Sequence, residues 1–248
     1  MQTINAYSVP GIASAKRILR DLNEHYTGLS IDHNHYLNEE FSKTQRFFTS
    51  NLLNFIAIVD KNENTLGHSK LVANYTLLFT EAIGIENKEF LAAIEKGALL
   101  HDLGKIGIPE DILGKAGPLT ADEKEIVKGH PLLGYKMIKD FEFLKGAARV
   151  VLYHHEQYDG SGYPYGLAGE EIPLEARIFA LADTLDALTS DRPYRKGRGF
   201  EEAITEIEKN IGSQFDPSLV DIFVSLPLYK LEQVKEEACE LILPPLMN

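Results

Sequence analysis

Apolar residues recur at helical spacing along nearly the whole chain, and no run alternates apolar and polar positions as a half-buried strand does. Ile12, Ala15, Ile18, Leu19 and Leu22 mark a weak first helix over about Ile12 to Tyr26. The polar stretch Thr27 to His35 reads as a loop. Phe41, Phe48, Leu52, Phe55 and Ile56 predict a stronger helix from about Tyr36 to Val59. After the polar break Asp60 to Thr65, residues Leu71, Val72, Tyr75, Leu78, Phe79 and Ile83 predict another, ended by Gly84 as a left-handed cap.

Asn87 is placed to N-cap the next helix, which runs through Phe90, Leu91, Ile94, Leu99 and Leu100 and reaches His101 near its end. Thr120 and Glu123 have capping-box spacing ahead of Ile126 and Val127. Pro131 suits the first turn of a helix that starts just after His130. A further helix ends at about His154. The stretch YDGSGYPYGLAGEEIP is too rich in glycine and proline to be regular. Helical spacing returns from Leu174 to about Thr189, with Asp183 and Asp186 three apart on one face. Asp216 and Pro217 open a late helix, and a charged segment from Leu228 to Leu241 follows. The division expected is a main domain over residues 50–226, an N-terminal helical extension over 1–49 and a C-terminal helical tail over 227–248.

Composition narrows the function. The chain has 248 residues, 44% apolar and 25% charged, as an ordinary globular protein does. No apolar run reaches the roughly 20 residues that span a bilayer, and MQTINAYSVPG lacks a signal-peptide pattern. One cysteine, Cys239, forms neither an internal disulfide nor a thiolate metal site. The expectation is a cytoplasmic protein with no membrane partner. A net charge of −12 argues against sequence-independent binding to DNA or RNA polymers. An anionic substrate then requires local cations or metals.

The histidines supply the candidate chemistry. Five of the eight, His68, His101, His130, His154 and His155, stand at helix ends or beside breakers, and His101–Asp102 and His154–His155 are adjacent pairs. Imidazole and carboxylate suit zinc, iron, manganese or nickel where no thiolate is at hand. With Asp102 and Asp183 there are seven candidate ligands, more than one tetrahedral ion uses. Two ions bridged by a carboxylate fit better, and such sites suit in-line displacement at phosphorus. Spacing alone does not bring these residues together, because a lone helical histidine is more often a satisfied polar residue. The HNH of residues 33–35 and His25 are read as non-functional. Neither GxxxxGK[ST] nor GxGxxG is present, which disfavours P-loop and Rossmann enzymes.

HDLGKIGIP (101–109), KAGPLT (115–120), GHPLLG (129–134), HHEQYDGSGYP (154–164) and ALADTLDALTSDRPYR (180–195) together resemble the HD-GYP family of metal-dependent phosphohydrolases. The resemblance runs from about Asn51 to Val224. It implies an all-α HD-domain helical bundle that hydrolyses a cyclic dinucleotide such as cyclic di-GMP, by attack of a metal-bridging hydroxide on phosphorus. The product would be a linear dinucleotide or GMP. By the same resemblance Asp102 bridges two ions. His68, His101 and Asp183 complete one shell, and His130, His154 and His155 the other. Family precedent puts iron first and manganese second.

The resemblance also implies that Lys105 contacts a phosphate and that Arg192 and Arg195 help grip the dinucleotide. Tyr163 closes over a base or meets a partner protein. Glu156, Asp159 and Asp186 are read as supports of ligands or loop. Some family members hold a third ion through a glutamate where this chain has Asn64, so two ions are expected. A homodimer and a cyclase partner at the GYP loop are further partner expectations. The rival readings are hydrolysis of another nucleotide, such as cyclic GMP–AMP, and a module that senses a nucleotide without cleaving it.

Overall fold

A computed structural model describes residues 67–191 and 195–242. The extension expected over 1–49, the helices expected over Ile12–Tyr26 and Tyr36–Val59, Asn64 and Arg192 lie outside the described residues. Within them the chain is helical, and two isolated bridges take the place of any strand. None of the described helices is long and apolar enough to cross a membrane.

The first helix, α1 (His68–Ala82), ends where the sequence pattern puts its stop, with Gly84 at φ 85°. The side chain of Asn87 accepts the Phe90 N–H and opens α2 (Lys88–Leu100). A tight 3-10 turn (Leu103–Gly107) and the short α3 (Glu110–Leu113) follow. Thr120 and Glu123 close a capping box on α4 (Ala121–Lys128), and Pro131 sits in the first turn of α5 (His130–Ile138). Next come α6 (Lys145–Tyr153) and, after the irregular glycine-rich stretch, α7 (Leu174–Thr189). The chain continues through α8 (Phe200–Glu208), α9 (Pro217–Val224) and α10 (Leu228–Ile242).

Two apolar clusters hold these elements. The larger gathers Val72, Tyr75 and Phe79 of α1 with Ile178, Phe179 and Leu185 of α7 and with Phe215, Val220, Phe223 and Leu231 further on. The smaller joins Leu103 of the 3-10 turn, Met137 and Ile138 of α5, Leu144, and Ala147, Ala148 and Val151 of α6. Each fully buried Leu, Ile or Phe contributes on the order of 1.5–3 kcal/mol. Helices α2 and α6 feed both clusters: Ile94 and Val150 face the larger, Leu100 and Val151 the smaller. The seam between the cores therefore falls at the ends of these two helices, where His101 and His154 stand.

The helix Leu228–Ile242 packs on α1 rather than away from it. Leu231 is buried, and the Tyr75 hydroxyl donates to its carbonyl. A buried ion pair, Arg177 to Asp216, ties α7 to the start of α9.

Candidate metal centre

Three of the histidines use one local device. His101, His130 and His154 each follow the C-terminal end of a helix, where backbone carbonyls lack intrahelical partners. Each ring turns its Nδ1 onto the carbonyl three residues back: Ala98 at 2.8 Å, Val127 at 2.7 Å and Val151 at 3.0 Å. Nδ1–H must donate there, so in the neutral ring Nε2 carries the lone pair and points away from the helix. The negative ends of α2, α4 and α6 also favour cations at this spot.

These Nε2 atoms converge on Asp102. Its Oδ2 lies 3.1 Å from His101 Nε2 and 2.9 Å from Lys105 Nζ. Its Oδ1 lies 3.2 Å from His130 Nε2 and 3.9 Å from His154 Nε2. Each oxygen of one carboxylate thus faces a different group of nitrogens. The junction depends on Gly104, since a Cβ there would stand 1.9 Å from the His130 carbonyl oxygen and 2.6 Å from the Gly134 nitrogen. Without a side chain, the 3-10 turn can press against the start of α5 and bring His130 to Asp102.

His68, the first residue of α1, is held from a distance. Its Nδ1 meets Asp186 Oδ2 at 2.5 Å, and its Nε2 faces Asp183 Oδ1 at 3.4 Å. Asp186 is buried, whereas Asp183 is 28% exposed. Phe179 lies beneath the rings of His101 and His154, with centroids 4.9 and 5.8 Å away. All seven residues singled out as ligands therefore come together, with His68, His101 and Asp102 in one compact group and His130, His154 and His155 in another.

The electrostatics suit ions. Burial works against the Asp102 carboxylate, but His101 and Lys105 outweigh it and hold Asp102 well below the ordinary carboxylate range. Burial likewise disfavours charge on His101, yet the adjacent Asp102 raises it to about 9. Burial and then His155 push His154 well down, and burial and then His130 push His155 to about 3, so both rings stay neutral. His130 Nε2 and His154 Nε2 stand only 3.1 Å apart. With both Nδ1 atoms turned onto carbonyls, the two Nε2 atoms are left facing one another, an arrangement that a shared cation suits. The donor set, nitrogen and oxygen without thiolate, matches divalent first-row metals.

The glycine-rich loop forms the rim. Glu156, buried, accepts from the Tyr165 and Leu167 N–H groups at 2.8 and 3.0 Å, and so braces the loop. Asp159 accepts from the Ser161 N–H in a local turn. A Cβ on Gly162 would lie 2.3 Å from the Gln157 nitrogen, so this close fold-back needs glycine. Tyr163 stacks on His155 at 4.7 Å and 26°, donates its N–H to the His155 carbonyl, and carries Lys128 Nζ 5.9 Å from its ring. Burial holds its hydroxyl well above the usual phenol range. Arg195 turns its guanidinium onto the Ala187 and Leu188 carbonyls at the end of α7.

A family model described as HD domain matches residues 53–219. The chain belongs to the HD domain family. Its GSGYP loop behind the His154–His155 pair places it in the HD-GYP branch of these HD domains. It is 42% identical to the cyclic di-GMP phosphodiesterase response regulator RpfG of Xanthomonas campestris over 66% of this chain and 44% of that one. It is 38% identical to 3′3′-cGAMP-specific phosphodiesterase 3 of Vibrio cholerae over 66% of this chain and 35% of that one. This HD domain chain thus spans less than half the length of either relative. Its fold matches that of Bd1817, an HD-GYP-type protein from Bdellovibrio bacteriovorus, with a TM-score of 0.56 at 17% identity over 90% of this chain and 69% of that one.

Proposed function

We propose that this chain is a phosphodiesterase that opens a cyclic dinucleotide, cyclic di-GMP first, with two divalent ions held by the seven converging residues. The observation that carries the reading is the division of Asp102, with one oxygen facing the His101 imidazole and Lys105 and the other facing His130 and His154. In this reading Asp102 is shared by both ions. His68, His101 and Asp183 hold one, and His130, His154 and His155 hold the other. Iron is the first choice and manganese the second, in keeping with a nitrogen and oxygen donor set. Two such ions supply Lewis-acid stabilisation at phosphorus and a nucleophile near neutral pH.

The chain's own residues bind and orient. Lys105, mostly buried beside Asp102, offers its ammonium to a phosphoryl oxygen as charge develops there. Tyr163, stacked on His155, gives a flat wall for a base. Arg192 offers a guanidinium fork to phosphate or guanine. Arg195, whose guanidinium lies on the Ala187 and Leu188 carbonyls, braces the end of α7 in this reading. A cytoplasmic location belongs to the same reading and fits a single cysteine in 248 residues.

Cyclic GMP–AMP is the second substrate reading, favoured by the similarity to the Vibrio cholerae enzyme. The test is an anaerobic assay of the full chain loaded with iron or manganese, offered both nucleotides, with products read by mass. Cleavage of cyclic di-GMP ahead of cyclic GMP–AMP is expected. Binding of either nucleotide without any linear product would replace the enzyme reading with that of a sensor.

A further inference from the structure

Helix α10 reaches the metal centre without touching it. Its Lys235 donates from Nζ to the Thr189 carbonyl at 2.7 Å, across 46 positions of sequence, and lies 5.7 Å from the ring of Phe200. Thr189 is the last residue of α7, so this carbonyl is one that the helix itself leaves unpaired. The next residue, Ser190, folds back. Its N–H donates to the Asp186 carbonyl at 2.9 Å and its hydroxyl donates to Asp186 Oδ1 at 2.6 Å. The other oxygen of the same carboxylate, Oδ2, holds His68 Nδ1. The same α10 also packs on α1, which begins with His68.

We propose that Ser190 is a positioning residue for His68 and that Lys235 holds Ser190 in place, so that α10 governs how firmly one of the two ions is bound. The proposal rests on the binuclear reading above. Its physical basis is that a ligating imidazole is aimed by what its other nitrogen meets, and here that partner is the Asp186 carboxylate. The Ser190 hydroxyl holds the second oxygen of that carboxylate and so helps fix the plane in which Oδ2 meets His68. Lys235 in turn limits how far the end of α7, and Ser190 with it, can fray. A serine that only capped α7 would alter stability alone.

Titration of the metal-free full chain with manganese separates these roles. The unaltered chain is expected to take two ions per chain. In Ser190→Ala, one of the two should bind about tenfold more weakly while the other is unchanged, and Ser190→Thr should restore it. Lys235→Met should weaken the same ion about threefold, with Lys235→Arg close to the unaltered chain. Unchanged binding in Ser190→Ala, or equal weakening of both ions, overturns the proposal. Nitrogen-15 NMR of the metal-free chain gives a readout that does not depend on metals. Faster solvent exchange of the His68 Nδ1–H in Ser190→Ala supports the proposal, and an unmoved resonance overturns it. If the unaltered chain takes fewer than two ions, the binuclear reading fails and the NMR result decides the part played by Ser190.

Discussion

His130 and His154 are each aimed by a carbonyl three residues back on their own segment, whereas His68 is aimed by a carboxylate 118 positions away. The two halves of the centre therefore depend on different things. The half built around the smaller core aims His130 and His154 through the ends of α4 and α6 and joins them to Asp102 through the close contact at Gly104. The half built on the larger core needs α1 and α7 docked correctly against each other, because His68 comes from one and Asp183 and Asp186 from the other. Asp102 stands on the seam and serves both. Local aim is cheap in chain entropy, while aim across the fold makes ligand geometry report on global packing.

The largest expected effect comes from removing the shared group. Asp102→Ala should lose both ions and lower turnover of cyclic di-GMP by more than about a thousandfold, beyond the 10–100-fold typical of outer supports. Metal content per chain and product chromatography check this, and retained activity would end the idea of a common bridge. Next is the seam itself. Gly104→Ala forces a methyl group into the His130 carbonyl and should cost about 3 kcal/mol, read by denaturant unfolding of the metal-free chain. A neutral result would mean that the 3-10 turn and α5 are not tightly apposed in solution.

Acidity separates the halves. In the metal-free chain His101, raised to about 9, is protonated at neutral pH and must lose that proton before Nε2 can hold an ion. Affinity of its half should therefore climb about tenfold per pH unit, or about a hundredfold from pH 6 to pH 8. His154 and His155, both pushed down, are already neutral and add no slope of their own over that range. Manganese titrations at pH 6, 7 and 8 read both slopes, and two equal slopes would erase the contrast. The smallest effect sharpens the local side. Thr120→Ala removes the capping box of α4 and should cost about 1 kcal/mol of stability. Because Val127 holds His130 at the opposite end of that helix, both ion affinities should remain within about twofold. A selective loss at the His130 ion would show that α4 acts as one unit.

Much of the helical layout was legible because caps are short-range chemistry. Gly84, Asn87, Thr120 with Glu123, Pro131 and Asp216 mark boundaries where the structure has them. Helix α8 was also within reach: Phe200, Ala203, Ile204 and Ile207 keep helical spacing, and Ala203 and Ile207 are buried, yet the sequence reading passes from Thr189 to Asp216. The 3-10 turn after Asp102 was not legible, since three residues per turn leaves no distinct apolar pattern over five positions. It nonetheless brings Lys105 onto Asp102. The convergence of the histidines could not come from spacing either, because it is created by Gly104 and by the docking of α1 on α7. Motif resemblance alone suggested it. Glu156 and Asp186 gave a weaker sign, as carboxylates close to candidate ligands, and the structure divides their roles between loop and His68.

The histidine that closes on a carbonyl three positions earlier amounts to a portable ligand mount. It asks only for a helix that stops and a ring at the stop, and it delivers a nitrogen whose tautomer the carbonyl sets. Grafted onto the ends of two or three helices of an unrelated bundle, such mounts would supply most of a divalent-ion site with no remote partner to engineer. Only a carboxylate set as Asp102 is, beside the close contact at Gly104, would have to be built anew.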